Sequence, residues 1–223
     1  MSSAKGARSA QAIIQDLYEA ERALRKRFDE LSSLQPEAAV LDAIAAAITA
    51  ARNEGSAEER TLRLSSLAQV LARKTGARVV DLLIDILNSE ETDARIVAGS
   101  ALKNLAFDRF KEVAQGVERA LKRLPKGSPA LPELPFVLVE VPEPAVLKIV
   151  HEFLKHPDPE AVASGIEACV ELGDPKSIPA LEKLVEDRRL VEIDEEAETV
   201  TVTIGELAEE ACEMLEGMED EGE

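Results

Sequence analysis

The sequence predicts an all-α protein: an α-solenoid of about five to six helical pairs, carrying a proline-rich loop and a small C-terminal β-hairpin insertion. Three observations lead there. Apolar residues recur three and four apart through successive segments of helix length, each bounded by a short polar turn with Gly or Pro. One pattern occurs twice: ILNSEETDARIVAGSALKNLA and FLKHPDPEAVASGIEACVELG both pass from an apolar helix end through a polar turn with Asp into a helix rich in small residues. Small residues let neighbouring helices approach, and a helical pair keeps one apolar side uncovered until the next pair stacks on it. Aromatic residues make up only 3% of the chain and Trp is absent, so the core must be Leu, Ile, Val and Ala.

In chain order, residues 1–8 are expected to be disordered, residues 9–217 to form the helical-repeat domain, and residues 218–223 to be an acidic tail. The first helix is RSAQAIIQDLYEAERALRKRFDEL. Its residues Ala10, Ile14, Leu17, Glu21, Leu24, Phe28 and Leu31 alternate four and three apart, a heptad seam interrupted by Glu21. Packing of that seam onto the next helix is expected; a homo-oligomer seam is the alternative. SLQPEAAVLDAIAAAITAARN follows, with Pro36 near its first turn. SAEERTLRLSSLAQVLARKTG opens on Ser56 with Glu59 three residues on, a capping-box signature, and is expected to stop at Gly76. ARVVDLLIDILNSEETDARIVAGSALKNLA reads as two helices, and FDRFKEVAQGVERALKRL as another. The six prolines of residues 125–144 forbid a regular helix, and FVLVEV reads as a short strand or an extended packed segment. It is either a packed crossover or a partner-binding strand or plug. PAVLKIVHEFLKHP, DPEAVASGIEACVELGD and PKSIPALEKLVEDRR resume the helices. LVEIDEEAETVTVTI alternates as a hairpin at residues 190–203, which either caps the solenoid or offers an edge. IGELAEEACEMLEGM closes the domain.

Residues 158–187 carry the best-defined motif: an Asp-Pro opening, a Leu-Gly-Asp-Pro turn and an Ile-Pro-Ala-Leu start to the next helix. This resembles the HEAT-repeat family, in its short bacterial form. Residues 77–124 fit more loosely, and the first 75 residues match only in helix length. The resemblance implies a solenoid fold, while the motif says almost nothing about activity. It also implies that the second helix of each pair lines the concave face. The Arg often found early in that helix is present as Arg95 but replaced around Ala163, so a continuous Asp–Arg ladder between repeats is not expected.

Charge adds to this reading. The net charge is −18, with no apolar run of membrane-spanning length, so neither nucleic acid nor a membrane is an expected partner. Residues 1–35 hold six Lys/Arg against five Asp/Glu, a net of +1; residues 186–223 hold 16 acids against two Arg, a net of −14. In DPEAVASGIEACVELG, Glu160, Ser164, Glu167 and Glu171 share a polar stripe at spacings of four, three and four. In IGELAEEACEMLEG, Glu206, Glu209, Glu210, Glu213 and Glu216 oppose Leu207, Ala208, Ala211, Cys212 and Leu215. The candidate partner-binding residues are Glu160, Ser164, Glu167, Glu171, Glu206, Glu209, Glu210 and Glu213, with Phe136 and Leu138 as apolar anchors. Together they describe an adaptor or scaffold that reads a basic helix or segment.

Candidates for chemistry are few. His151 and His156, the only histidines, are five apart and so point about 140° away from each other on a helix, which is wrong for a shared metal. His156 is expected to meet helix-terminal carbonyls. The HEAT-type metal hydroxylases resemble this fold but use several His-Glu pairs, against the single His151-Glu152 here. HEAT-like DNA glycosylases use basic, aromatic grooves. Cys169 and Cys212 lie in amphipathic patterns with no nearby cation and read as buried free thiols. No phosphate loop or nucleophile elbow appears. No catalytic, cofactor or metal residue is assigned, and without an apolar leader the chain is expected to be cytoplasmic. The alternative reading is a lyase-like or chaperone-like helical-repeat protein acting on a small cofactor or chromophore, as in the similar bilin lyases.

Overall fold

A computed structural model of the chain describes residues 9–35, 37–195 and 198–220. The expectations for residues 1–8, for Pro36 and for 221–223 of the expected tail lie outside the described residues, while residues 218–220 of that tail continue the last helix. Nine α-helices and one antiparallel pair of strands are present among them.

Helix α1, Ala10–Ser33, starts where the Ser9 hydroxyl accepts the Ala12 amide at 3.2 Å. It does not lie along the next helix. Only Phe28 is buried, capped by the Arg73 guanidinium 5.3 Å from its ring centre, and Lys74 donates to the Ser32 carbonyl at 2.7 Å. The expected packing of the whole heptad seam is thus corrected. The residues it would have met on helix α2, Glu37–Arg52, turn inward as Val40, Leu41, Ile44 and Ile48.

Helix α3, Ala57–Leu71, is capped by the Ser56 side chain, but Glu59 bonds Arg63 at 2.6 Å instead of returning to the cap. Gly76 does not stop this helix. At φ 111° it starts helix α4, Ala77–Leu87, and gives its amide to Glu112 at 2.9 Å. Helix α4 is buried on nearly every side, from Val79 to Leu87.

Helix α5, Thr92–Arg123, is two expected helices run together at Arg109, whose φ −141° and ψ 48° leave the helical region. Its second half lies alongside α4, with Arg119 on Asp81 at 2.8 Å and Arg123 on Asp85 at 2.7 Å. Both bonds span 38 residues, so the two segments run parallel, as the first helices of successive repeats do. Split at Arg109, α5 supplies the second helix of one pair and the first helix of the next repeat.

The proline-rich segment is a packed crossover of turns with one 3-10 turn, Pro135–Val137, and no strand. Ala130, Leu131, Leu134, Val137 and Leu138 are all buried in it. Its place in the stack is fixed by polar bonds: the Ala130 amide to Asn88 at 3.3 Å, the Gly127 amide to Asp158 at 2.6 Å, and Arg95 to Glu133 at 2.9 Å. Arg60 meets Glu91 in the same way, each Arg standing fourth in its helix. Val162 holds that place in the next such helix, so the ladder stops there.

Helix α6, Val146–Phe153, packs under helix α7, Pro159–Leu172. Asp158 caps α7 by accepting the Glu160 amide at 2.9 Å, Pro159 follows at the first position, and Gly173 closes the end at φ 60°. PKSIPALEKLVEDRR, expected as one helix, is broken into the 3-10 turn Pro175–Ser177, helix α8 at Ile178–Leu181, and the 3-10 turn Glu182–Leu184. Pro175 and Pro179 remove amide donors that a continuous helix would need. Strands β1, Leu190–Glu195, and β2, Glu198–Thr203, pair from Leu190↔Thr203 to Glu195↔Glu198, and Val191 turns into the core. Helix α9, Ile204–Asp220, ends the described chain. Thr203 and Glu206 build a capping box at its start, Thr203 N to Glu206 at 2.7 Å and Glu206 N to Thr203 at 3.1 Å.

Candidate functional site

Helices α7 and α9 stand side by side and leave a groove of about 440 Å³ between them, closed at one end by strand β1. Each is the second helix of its pair, so neither needs its outward stripe for the stack. The floor is apolar: Ala163, Val170, Ile193, Leu207, Ala211 and Met214. Glu160 and Glu167 rise on the α7 wall, Glu210 on the α9 wall, and Glu192 from β1. Among the described residues no Lys or Arg lines it.

Among the described residues none of these four carboxylates is in an ion pair. Glu160 has its carboxyl pushed up, first by partial burial and then by the negative charges of Asp158 and Glu192. The site therefore holds more negative charge than it balances, above an apolar surface. That combination favours a ligand with both cationic and apolar parts.

The structure divides the candidates. Glu160, Ser164, Glu167 and Glu210 all line the groove. Ser164 is buried, with its hydroxyl donating back to the Glu160 carbonyl at 3.0 Å. Glu171 continues the α7 stripe by one turn and is exposed beyond the groove lining. Glu206 is committed to the capping box, and the Thr203 amide holds its carboxyl below the usual range. Glu213 and Glu209 sit roughly 120° and 160° around α9 from Leu207, so they face away from the floor. Leu138 is fully buried and is core, not a surface anchor. Phe136 is half-buried in a separate shallow pocket with Leu87, Gly99 and Lys103.

The sequence reading missed Glu192, Ile193, Leu207 and Met214. A strand from the hairpin reaches the groove, and Leu207 and Ala211 show one apolar edge to it while Ala208 and Leu215 serve the core. Helical spacing showed that α9 has two faces, but the split of its apolar face between core and groove is set by the neighbour it rests on.

Other reactive groups are placed as structure. Burial pushes the Cys169 thiol up to about 11, and the Cys212 thiol is also raised, by burial and then by Glu182 and Glu216. The ring of His151 sits 3.2 Å from the Ser177 hydroxyl, and partial burial lowers its pKa. His156 is buried, with Nδ1 accepting the Asp158 amide at 3.1 Å and Nε2 facing the Leu121 carbonyl at 3.3 Å. It joins α5 to the α7 cap rather than capping its own helix. Among the described residues no group of three or more His, Cys, Asp or Glu could hold a metal, and no helix is long and apolar enough to cross a membrane.

A family model of HEAT repeats matches residues 108–198, from the second half of α5 through α7 to the hairpin. One solved structure, the crystal structure of an engineered protein, is similar at 19% identity over 88% of this chain and 90% of that one, with a TM-score of 0.37. No curated protein matches the chain. Residues 108–198, which contain the α7 wall of the groove, are thus similar to HEAT repeats.

Proposed function

We propose that the protein is a non-enzymatic adaptor or scaffold that binds a protein partner in the α7/α9 groove, and that the partner offers a basic amphipathic segment. HEAT repeats generally mediate protein–protein interaction. The observation that carries the finer reading is the groove itself: an apolar floor between walls bearing Glu160, Glu167, Glu192 and Glu210, with no cation of its own. Apolar side chains laid on the floor supply affinity, and Lys or Arg beside the rims supplies encounter rate and selection.

The test is titration of the full chain with a synthetic helical peptide of Leu and Lys, beside one of Leu and Glu. Binding of the Lys peptide alone, weakened by salt and about tenfold by Glu167→Lys with Glu210→Lys, supports the reading. Equal binding of both peptides, or none, overturns it. A cation beside Glu160 lowers the carboxyl that burial has raised, so binding releases protons and affinity falls from neutral pH into the carboxylate range.

A further inference from the structure

Helix α1 leaves an apolar stripe uncovered at the opposite end of the chain. Ile13, Ile14, Leu17, Tyr18 and Leu24 are between 44% and 63% exposed. The helix is held near its C-terminal end, through Phe28, Asp29 and Ser32 against Arg73 and Lys74. A run of this kind on an otherwise charged helix marks a surface meant to be covered.

The flanks of the stripe are basic. On a helix projection centred on Leu17, Leu24 falls close to the centre, while Arg25 and Arg27 lie about 80° to either side. Their present partners, Glu21 at 2.9 Å and Glu30 at 2.6 Å, are on the same helix in exposed bridges that contribute little and are exchanged easily. Glu21 lies within the stripe, where Arg25 offsets it, and Asp16 stands about 100° from Leu17 on the Arg27 side, about three turns nearer the N-terminus than Arg27. So α1 has an apolar centre with an arginine on each side, and the groove has an apolar floor with carboxylates on each wall.

We propose that the α7/α9 groove takes helix α1 of a second copy of this chain, with Leu17 and Leu24 on the floor and Arg25 and Arg27 against Glu167 and Glu210. This rests on the groove being a binding site for basic amphipathic segments, as proposed above, and names the segment. Helix and groove are different surfaces of one molecule, so the contact is heterologous. Each added copy keeps one free surface of each kind, and association continues head to tail beyond two.

The test is molar mass in solution against protein concentration, at low and high salt, for four full-length chains. They are the wild type, a groove variant (Glu167→Lys, Glu210→Lys), a helix variant (Arg25→Glu, Arg27→Glu) and the combination of all four changes. All four positions are exposed, and circular dichroism checks that each chain folds. The expected result is growth of the wild type past two copies, at least tenfold weaker association of either partial variant, and recovery in the combination, where the reversed charges again face each other. A wild type that stays monomeric overturns the inference, while binding of the Lys peptide would leave the groove reading standing. Loss with the helix variant alone, without recovery in the combination, also overturns it and assigns α1 to a symmetric pair.

Discussion

Replacement of Gly165 by Ala tests whether close helix approach holds the C-terminal repeats together. Gly165 is in the middle of α7, and a Cβ there would lie 2.8 Å from the Cβ of Phe153 and 3.3 Å from Leu154 Cδ2. Carbon atoms in good contact sit about 3.5–4.0 Å apart, so α6 and α7 must separate by roughly 1 Å. The Phe153 Cβ cannot swing aside by changing rotamer, because it is fixed to the backbone. Helix propensity alone would favour Ala by about 1 kcal/mol, while overpacking of a tight interface costs about 1–3 kcal/mol. Separation also strips contacts from Phe153, one of the largest fully buried side chains. A net loss of about 1–2 kcal/mol is expected, a fall of about 2–8 °C in melting temperature for a chain of this size. Gly99 in α5 is the control, since a Cβ there meets only Leu87 Cδ1 at an ordinary 3.6 Å. Gly99→Ala should raise the melting temperature by a few degrees, on the order of the 1 kcal/mol gained in propensity. Thermal unfolding followed by circular dichroism reads both. If Gly165→Ala melts at or above the wild type, the α6/α7 interface does not depend on close approach and the argument is wrong.

Three other outcomes follow from particular contacts. Leu138→Ala should cost about 2–5 kcal/mol in denaturant unfolding, because the side chain is core; a cost below about 0.5 kcal/mol would return it to the surface. Asp158→Ala removes the α7 cap and the acceptor of the Gly127 amide together, and should destabilise by about 2–3 kcal/mol; a loss no larger than a simple surface change would mean that the crossover is not tied to α7. His151 has its pKa lowered by burial, so the unfolded chain binds the proton more readily: this contribution is complete above the unfolded value of 6.5 and is lost as pH falls through it toward the folded one. Melting temperature should therefore drop between about pH 7.5 and about pH 5.5, less steeply in His151→Gln; parallel curves would remove His151 as the cause.

Much of the fold was legible because its signals are local. Ser56 and Asp158 cap the helices that follow them, Gly173 ends α7 in the left-handed region, and the alternation around residues 190–203 gives the hairpin, each by bonds within a few residues. The α7 half of the groove was legible too, since Glu160 and Glu167 share a stripe on one helix. What tertiary structure alone decided is which of several equivalent apolar or acidic residues meets a neighbour. Phe136 and Leu138 are two residues apart in an irregular segment, yet Asn88, Arg95 and Asp158 hold that segment so that Leu138 is sealed and Phe136 is half open. Glu206 and Glu210 share one face of α9, but the first is drawn into the cap by Thr203 and the second is left to the groove. The heptad of α1 records only that the helix has an apolar face. Its apolar residues alone do not name their cover, and the inward face of α2 is already spent on the core. Periodicity within a segment fixes which residues share a face, whereas the partner of that face is set by segments far away in the chain.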